Sequence, residues 1–319
     1  MIIVMEHNAT KEQLQRVTDY IAGKGMKSYV HQGDLLNVVA VIGDEIKLNA
    51  ESIAALGYAP KVSITLDQNL ILNAYIPKEN TLKFTFDGKD YSVSELAGTE
   101  ITLDDGKQYY KVSVELHSPK AAREVVLLTT VDLGGKTAEG KFTFSIPKYA
   151  EKVLVSGTDT EKTLVRDVLA YVKAAYNYFT KENSEEEIAR VNSLIDSIIG
   201  ADYNSAPTSS GETNTVSPVN SVTLILDATP TIRFYVTDTS VKFYRGNVQL
   251  KTVLGTDDKG TFVDLDVYAY ALCETITYGE GGSYHVTNYL AGADESEKAI
   301  VKAFIKYTES AAKYRSETV

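Results

Sequence analysis

The chain has 319 residues, 44% of them hydrophobic, with a net charge of −11 and a pI near 5.0. That length accommodates two or three domains with real cores, and the acidic balance disfavours a phosphate backbone, so no nucleic-acid partner is expected. The single cysteine, Cys273, excludes an internal disulfide and a zinc site built from several cysteines, and no apolar run approaches the ~20 residues of a membrane span.

MIIVM at the start reads as a short apolar strand. Thr10-x-x-Gln13 forms a capping box, and Leu14, Val17, Ile21 and Ala22 make the buried side of a helix that Gly23 and Gly25 end. Lys27–His31 reads as a strand, Gly33-Asp34 as a turn and Leu36–Ile42 as a buried strand, with Gly43-Asp44 closing it. A second helix over Ala50–Leu56 and a strand at Val62–Leu66 would complete a ferredoxin-like β-α-β-β-α-β unit, although LGYAPKVSITL could equally begin the next domain.

The stretch Met1–Glu45 resembles the N-terminal regulatory domain of bacterial 3-deoxy-D-arabino-heptulosonate 7-phosphate (DAHP) synthases. The matching features are the opening IIVM, the AT-x-E-Q helix start, the G-x-K pair before the second strand and the closing V-x-G-D-E. The resemblance implies a ferredoxin-like fold, self-association into a dimer and a site for Tyr or Phe as feedback inhibitors. The family often carries His, and Ser two residues later, at the ligand site; Tyr29 and His31 occupy those positions here and are the candidate ligand-binding residues. The chain beyond Glu45 does not look like that family's catalytic barrel, which needs ~250 residues of alternating strands and helices. The synthase activity is therefore not carried over.

A repeat begins at Val62. VSITLDQNLILNAYI pairs with VTLILDATPTIRFYV at an offset of 160, aligning Val62/Val222, Leu66/Leu226, Asp67/Asp227 and Tyr75/Tyr235. Asp87-Gly88 and Asp105-Gly106 supply the positive φ of tight hairpins, KVSVEL alternates as a sheet with one wet face should, and REVVLLTTVDL reads as a central strand. Gly140–Ile146 is read as the last strand of the first copy, and Thr261–Tyr270, Leu272–Tyr278 and Gly282–Val286 as strands of the second. Each copy ends in a helix. EKTLVRDVLAYVKAAYNYF at Glu161–Phe179 returns as EKAIVKAFIKYTESAAKYR at Glu297–Arg315, offset 136, aligning Leu169/Ile305, Tyr171/Tyr307, Ala175/Ala311 and Tyr178/Tyr314. Capping boxes Thr158-x-x-Glu161 and Asp294-x-x-Glu297 open both helices, and Tyr171 and Tyr307 are expected to dock them onto their sheets. Each unit thus reads as an antiparallel β-sandwich followed by one helix.

Ser184–Ile199 reads as a connecting helix ended by Gly200, and Ala201–Asn220, rich in Ser, Thr, Asn and Pro, as an extended flexible linker. The expected architecture is α+β: a ferredoxin-like domain at 1–58, a first β-sandwich-plus-helix module at 59–183, a connecting helix at 184–200, a linker at 201–220 and a second module at 221–319. The two modules resemble tandem modules in large surface proteins of Gram-positive anaerobes, which implies an exported, cell-surface setting. The first domain and the absence of a signal peptide in residues 1–30 point instead to the cytoplasm.

The chain contains no G-x-S-x-G, H-E-x-x-H, Walker loop or G-x-G-x-x-G after a strand. His7, His31, His117 and His285 are read as structural or exposed, and Cys273 as a small buried residue. Asp257, Asp258, Asp264 and Asp266 lack the spacing of a calcium loop and read as a turn and a wet strand face. No cofactor and no metal are expected. The remaining signal is aromatic: Tyr109, Tyr110, Tyr268 and Tyr270 on predicted strands could form an exposed row that binds a glycan or a protein, against the simpler expectation that they pack inside. The reading is a non-catalytic, multi-module binding or spacer protein with a regulatory-type N-terminal domain. An aromatic-amino-acid-sensing fragment of a DAHP synthase is the first alternative, and a carbohydrate-active hydrolase with a carboxylate pair converging in space is the second.

Overall fold

The computed structural model describes residues 2–5, 9–32, 37–42, 53, 56–66, 69–96, 99–203, 206–226 and 230–318. The turns Gly33-Asp34 and Gly43-Asp44, most of the second helix expected over Ala50–Leu56, the Asp67/Asp227 pair and His7 lie outside the described residues. Contacts divide the chain into two compact units: residues 1–62 with 74–112 and 125–143, and residues 63–73 with 113–124 and 144–319.

The first unit opens with β1 (Ile2–Met5), α1 (Lys11–Gly23), β2 (Lys27–Gln32) and β3 (Asn37–Ile42). Thr10 and Gln13 make both capping-box bonds, at 2.7 and 3.2 Å. The sheet order is β1-β3-β2 with β3 antiparallel to both neighbours, the split β-α-β arrangement of a ferredoxin-like domain. Leu14, Val17 and Ile21 of α1 pack with Met26, Val39, Val41 and Ile53. The Val62–Leu66 stretch does not complete this sheet. As β4 (Lys61–Leu66) it belongs with β5 (Leu70–Pro77) to the next one. The reason is a polar ladder across the strands: Asn73 donates to Thr65 Oγ1 at 2.9 Å and to Ser63 Oγ at 3.3 Å, and accepts from Ser113 Oγ at 2.7 Å.

The first copy continues with β6 (Thr81–Phe86), β7 (Lys89–Ser92), β8 (Glu100–Thr102), β9 (Gln108–Leu116), β10 (Val125–Asp132) and β11 (Thr137–Phe144). Its sheets run β4-β5-β9-β8 and β11-β10-β6-β7. The second copy has β12 (Val219–Ile225), β13 (Thr231–Val236), β14 (Phe243–Arg245), β15 (Val248–Gln249), β16 (Thr252–Asp257), β17 (Gly260–Leu265), β18 (Ile276–Tyr278) and β19 (Gly282–Tyr284). Its sheets run β12-β13-β17-β16 and β15-β14-β18-β19, the same pairing in the same chain order. The repeat seen in the sequence is therefore a repeat of strand topology. In the second copy Phe234 on β13 meets Phe243, Tyr278 and Tyr284 of the opposite sheet, with ring centroids 4.4, 5.6 and 5.8 Å apart, so the two inner faces form one core.

Both Asp-Gly pairs make their hairpins. Asp87 and Gly88 adopt φ 52° and 78° between β6 and β7, the left-handed pair a two-residue turn requires. Gly106, at φ 74°, turns the chain between β8 and β9. In that second turn Asp105 accepts from Lys61 Nζ and Tyr109 Oη, each at 2.7 Å, and from the Lys107 amide at 3.0 Å. The Lys61 ammonium, then the Tyr109 hydroxyl and the Lys107 N–H, hold the Asp105 carboxyl well below the usual carboxylate range. Its folded-state pKa is thus lower than the unfolded value of about 3.9. The stabilisation is present above that value and is lost as pH falls toward the folded one. Wild type is expected to lose melting temperature below about pH 4, and Asp105→Asn to show a shallower decline in the same scan.

The helices of the second unit are α2 (Ile146–Ser156), α3 (Asp159–Tyr178), α4 (Glu185–Ile199), α5 (Tyr289–Gly292) and α6 (Glu295–Thr318). Helix α2 was not expected from the sequence; Ile146 begins it rather than ending a strand. Ser145 caps it by accepting from Lys148 N at 3.3 Å, and Pro147 sits in its first turn, a start signal that short apolar runs on either side obscure. The Thr158–Glu161 box is complete, with Thr158 N–H donating to Glu161 Oε2 at 2.7 Å and Glu161 N–H to Thr158 Oγ1 at 3.3 Å. At α6 only Glu297 N–H to Asp294 forms, at 3.0 Å; the Glu297 carboxylate accepts instead from Tyr178 and Tyr289.

Helices α3 and α6 pack directly on each other, antiparallel. The aligned residues Tyr171 and Tyr307 stack across the interface, 5.6 Å apart with planes at 14°. This corrects the expectation that each docks onto its own sheet: the duplicated helices bury their matching faces against one another. Asp167 is fully buried there, accepting from Tyr203 Oη at 2.8 Å and from Ser310 Oγ of the partner helix. The segment after Gly200 is also tied down. Thr208 and Ser209 donate backbone N–H groups to Glu309 at 2.8 and 2.6 Å, and Asn214 bridges to Ser283. Its polar composition reads as a linker because such bonds to distant residues leave no local pattern.

Candidate functional site

Each unit carries one candidate. In the first, strand register places Tyr29, Ala40 and Ile2 in one row of the β1-β3-β2 sheet and His31, Val38 and Val4 in the next, all on the face away from α1. Alternation along the strands sends Ile3, Met5, Val39 and Val41 to the helix side and leaves this face open. Ile2 is 70% exposed, Tyr29 62%, and Val4 and Ile42 59% each. His31 is exposed as well, so the two residues that the resemblance points to lie beside each other on a largely apolar surface.

The four tyrosines expected in one exposed row separate. Tyr109 and Tyr110 are 4% and 5% exposed and belong to the core: Tyr109 donates to Asp105, and the Tyr110 ring lies 6.5 Å from Phe84. Neither belongs to an exposed surface. Tyr268 and Tyr270 are not on a strand: Tyr268 immediately precedes the tight turn Ala269–Ala271 and Tyr270 lies within it, and their rings stack 5.5 Å apart at 12°. The Arg315 guanidinium lies over Tyr270, 4.3 Å from the ring centroid.

That tyrosine pair lines a cavity of about 410 Å3 within the second unit. Ile64 and Thr65 of β4, Ile146 and Val153 of α2, Leu164 and Val168 of α3, and Ala311, Tyr314 and Arg315 of α6 complete its walls, with Glu161 as the carboxylate among the described lining residues. Sequence reasoning missed most of these residues, because five separate chain segments converge to make the space.

The other candidates from sequence are structural. Arg233 bonds Asp264 at 2.8 and 2.9 Å and Asp257 at 3.0 Å, and lies 3.4 Å above the Phe262 ring, so these acidic groups are engaged by a cation of the same sheet. Among the described residues no group of three or more His, Cys, Asp and Glu is placed to hold a metal ion. His285 Nε2 donates to the Cys273 carbonyl at 3.0 Å and Nδ1 faces Thr287 Oγ1 at 2.7 Å; burial lowers its pKa, which favours the neutral ring. Burial pushes the Cys273 thiol up to about 11, far from the thiolate needed for reactivity near neutral pH. No described helix is long and apolar enough to cross a membrane.

The three-stranded sheet, its helix and its register agree with the comparison by family. Residues 1–63 match the DAHP synthase ferredoxin-like domain. No curated protein and no solved structure matches the chain. The DAHP synthase ferredoxin-like domain accordingly extends past the Glu45 limit of the sequence resemblance and takes in the first residues of β4.

Proposed function

We propose that the chain is a non-catalytic binding protein whose DAHP synthase ferredoxin-like domain serves as a regulatory-type self-association module, while the repeated sheet-and-helix body carries the partner- or glycan-binding role. The observation that supports this most is the open face of the β1-β3-β2 sheet. Ile2, Val4, Tyr29 and Ile42 expose apolar surface that a monomer gains nothing by presenting, whereas a second copy of the same face would remove it from water. The closing of such a face by a two-fold operation needs no other partner.

Sedimentation of the full chain tests it. Wild type is expected to form a concentration-dependent dimer, and Val4→Glu/Ile42→Glu to sediment as a folded monomer with an unchanged far-ultraviolet circular dichroism spectrum, since both side chains lie outside the core. A wild type that stays monomeric at the highest concentration reached removes the reading. A second reading has its own support: Tyr29 and His31 are adjacent on that face, where the resemblance puts an aromatic amino acid. Calorimetric titration with Tyr and with Phe should give heat that Tyr29→Ala abolishes, and a flat trace would discard it.

A further inference from the structure

We propose that the cavity between α2, α3 and the last turns of α6 is a binding site for a small aromatic molecule carrying a single negative charge. Its volume of about 410 Å3 falls in the range of small-molecule sites, and its walls have their composition: apolar side chains with a few placed polar groups. Ile64, Ile146, Val153, Leu164 and Val168 offer a slot for a ring, and the stacked Tyr268–Tyr270 pair gives a flat aromatic wall beside it.

Charge sets the rest. Arg315 lies at the rim, held over Tyr270, and a guanidinium in that position matches the fork of a carboxylate or sulfonate. Glu161 lies on the same lining, with Oε2 fixed by the Thr158 N–H at 2.7 Å and the Thr158 hydroxyl at 3.1 Å. Its carboxylate repels a second anionic group, which limits the ligand to one charge and points that charge toward Arg315.

The repeat supplies an internal comparison. At the matching place in the second copy, Glu297 is engaged by Tyr178 at 3.1 Å and Tyr289 at 3.3 Å. Tyr314, which the repeat aligns with Tyr178, lines the cavity together with Glu161. The helix that precedes the capping box has 11 residues in the first copy and 4 in the second. The first copy therefore adds a helical wall, and with it Ile146, Ala150 and Val153, where the second has a short turn.

Fluorescence titration of the full chain with 8-anilino-1-naphthalenesulfonate, an aromatic monoanion, tests the proposal, with neutral N-phenyl-1-naphthylamine as the uncharged control. Wild type is expected to saturate at one site per chain. Val153→Trp, which fills the slot from a half-buried position, should weaken both probes at least tenfold. Arg315→Leu, at an exposed position, should weaken the anionic probe several-fold and the neutral one little. Binding of the anionic probe that neither variant changes, or an equal loss of both probes in Arg315→Leu, overturns it. Because these variants leave the β1-β3-β2 face intact, the outcome is independent of the sedimentation result.

Discussion

Replacing Tyr171 by alanine is expected to lower the unfolding free energy of the second unit by about 3–5 kcal/mol, the range for removing a large aromatic from a packed interior. Tyr171 is 2% exposed. Its ring stacks on Tyr307 and lies 5.6 Å from Phe304, and its hydroxyl pairs with Ser118 Oγ at 2.6 Å. Burial pushes its phenol pKa well up, so the ring stays neutral and the hydroxyl keeps its proton throughout the working pH range. The loss has several parts: the cavity left behind, the stacking with the repeat partner, and a Ser118 hydroxyl left unpaired in a closed space. Tyr171→Phe isolates the last part and should cost about 1–2 kcal/mol. Denaturant unfolding of both variants, followed by far-ultraviolet circular dichroism, separates these contributions. Equal effects for Ala and Phe would show that the stack contributes little.

A comparable effect is expected at Asp167, where no apolar contact is at stake. The side chain is fully buried on α3 and ties Tyr203, beyond the end of α4, to Ser310 on α6. Asp167→Ala removes the shared acceptor and leaves the buried Ser310 hydroxyl without it, at a cost of about 1–3 kcal/mol. Asp167→Asn retains one acceptor oxygen and should recover part of that. Because Tyr203 anchors the start of the 201–220 segment, Asp167→Ala should also speed limited proteolysis just after Gly200, a readout that overall melting does not give. Unchanged cleavage there would mean that the segment is held by its later contacts, Thr208 and Ser209 with Glu309 and Asn214 with Ser283.

Both variants bear on a feature that sequence patterns showed only in part. The duplicated helix was legible because its identities recur at a constant offset and its caps are local: Thr158 and Glu161 are three residues apart and meet within one turn. What the two helices pack against was not legible. An apolar stripe states that a face is buried, and it is silent on whether a sheet or another helix covers it. Asp167 carries the same limit further. A carboxylate in a helix reads as solvated, and only the arrival of Tyr203 and Ser310 from 36 and 143 residues away makes its burial tolerable.

Within reach of the residues alone were the features that depend on neighbours a few positions apart. They include the Thr10 and Thr158 capping boxes, the Asp87-Gly88 and Asp105-Gly106 turns, the ferredoxin-like character of the first domain and the doubling of the sheet-and-helix build. The tertiary structure alone decided that β4 joins the second sheet, that Tyr109 and Tyr110 are core while Tyr268 and Tyr270 face a cavity, and that α3 meets α6 through matching residues. Short-range chemistry is written in the spacing of the chain; which surfaces meet depends on long-range packing, where each face has many acceptable partners and the whole fold selects one.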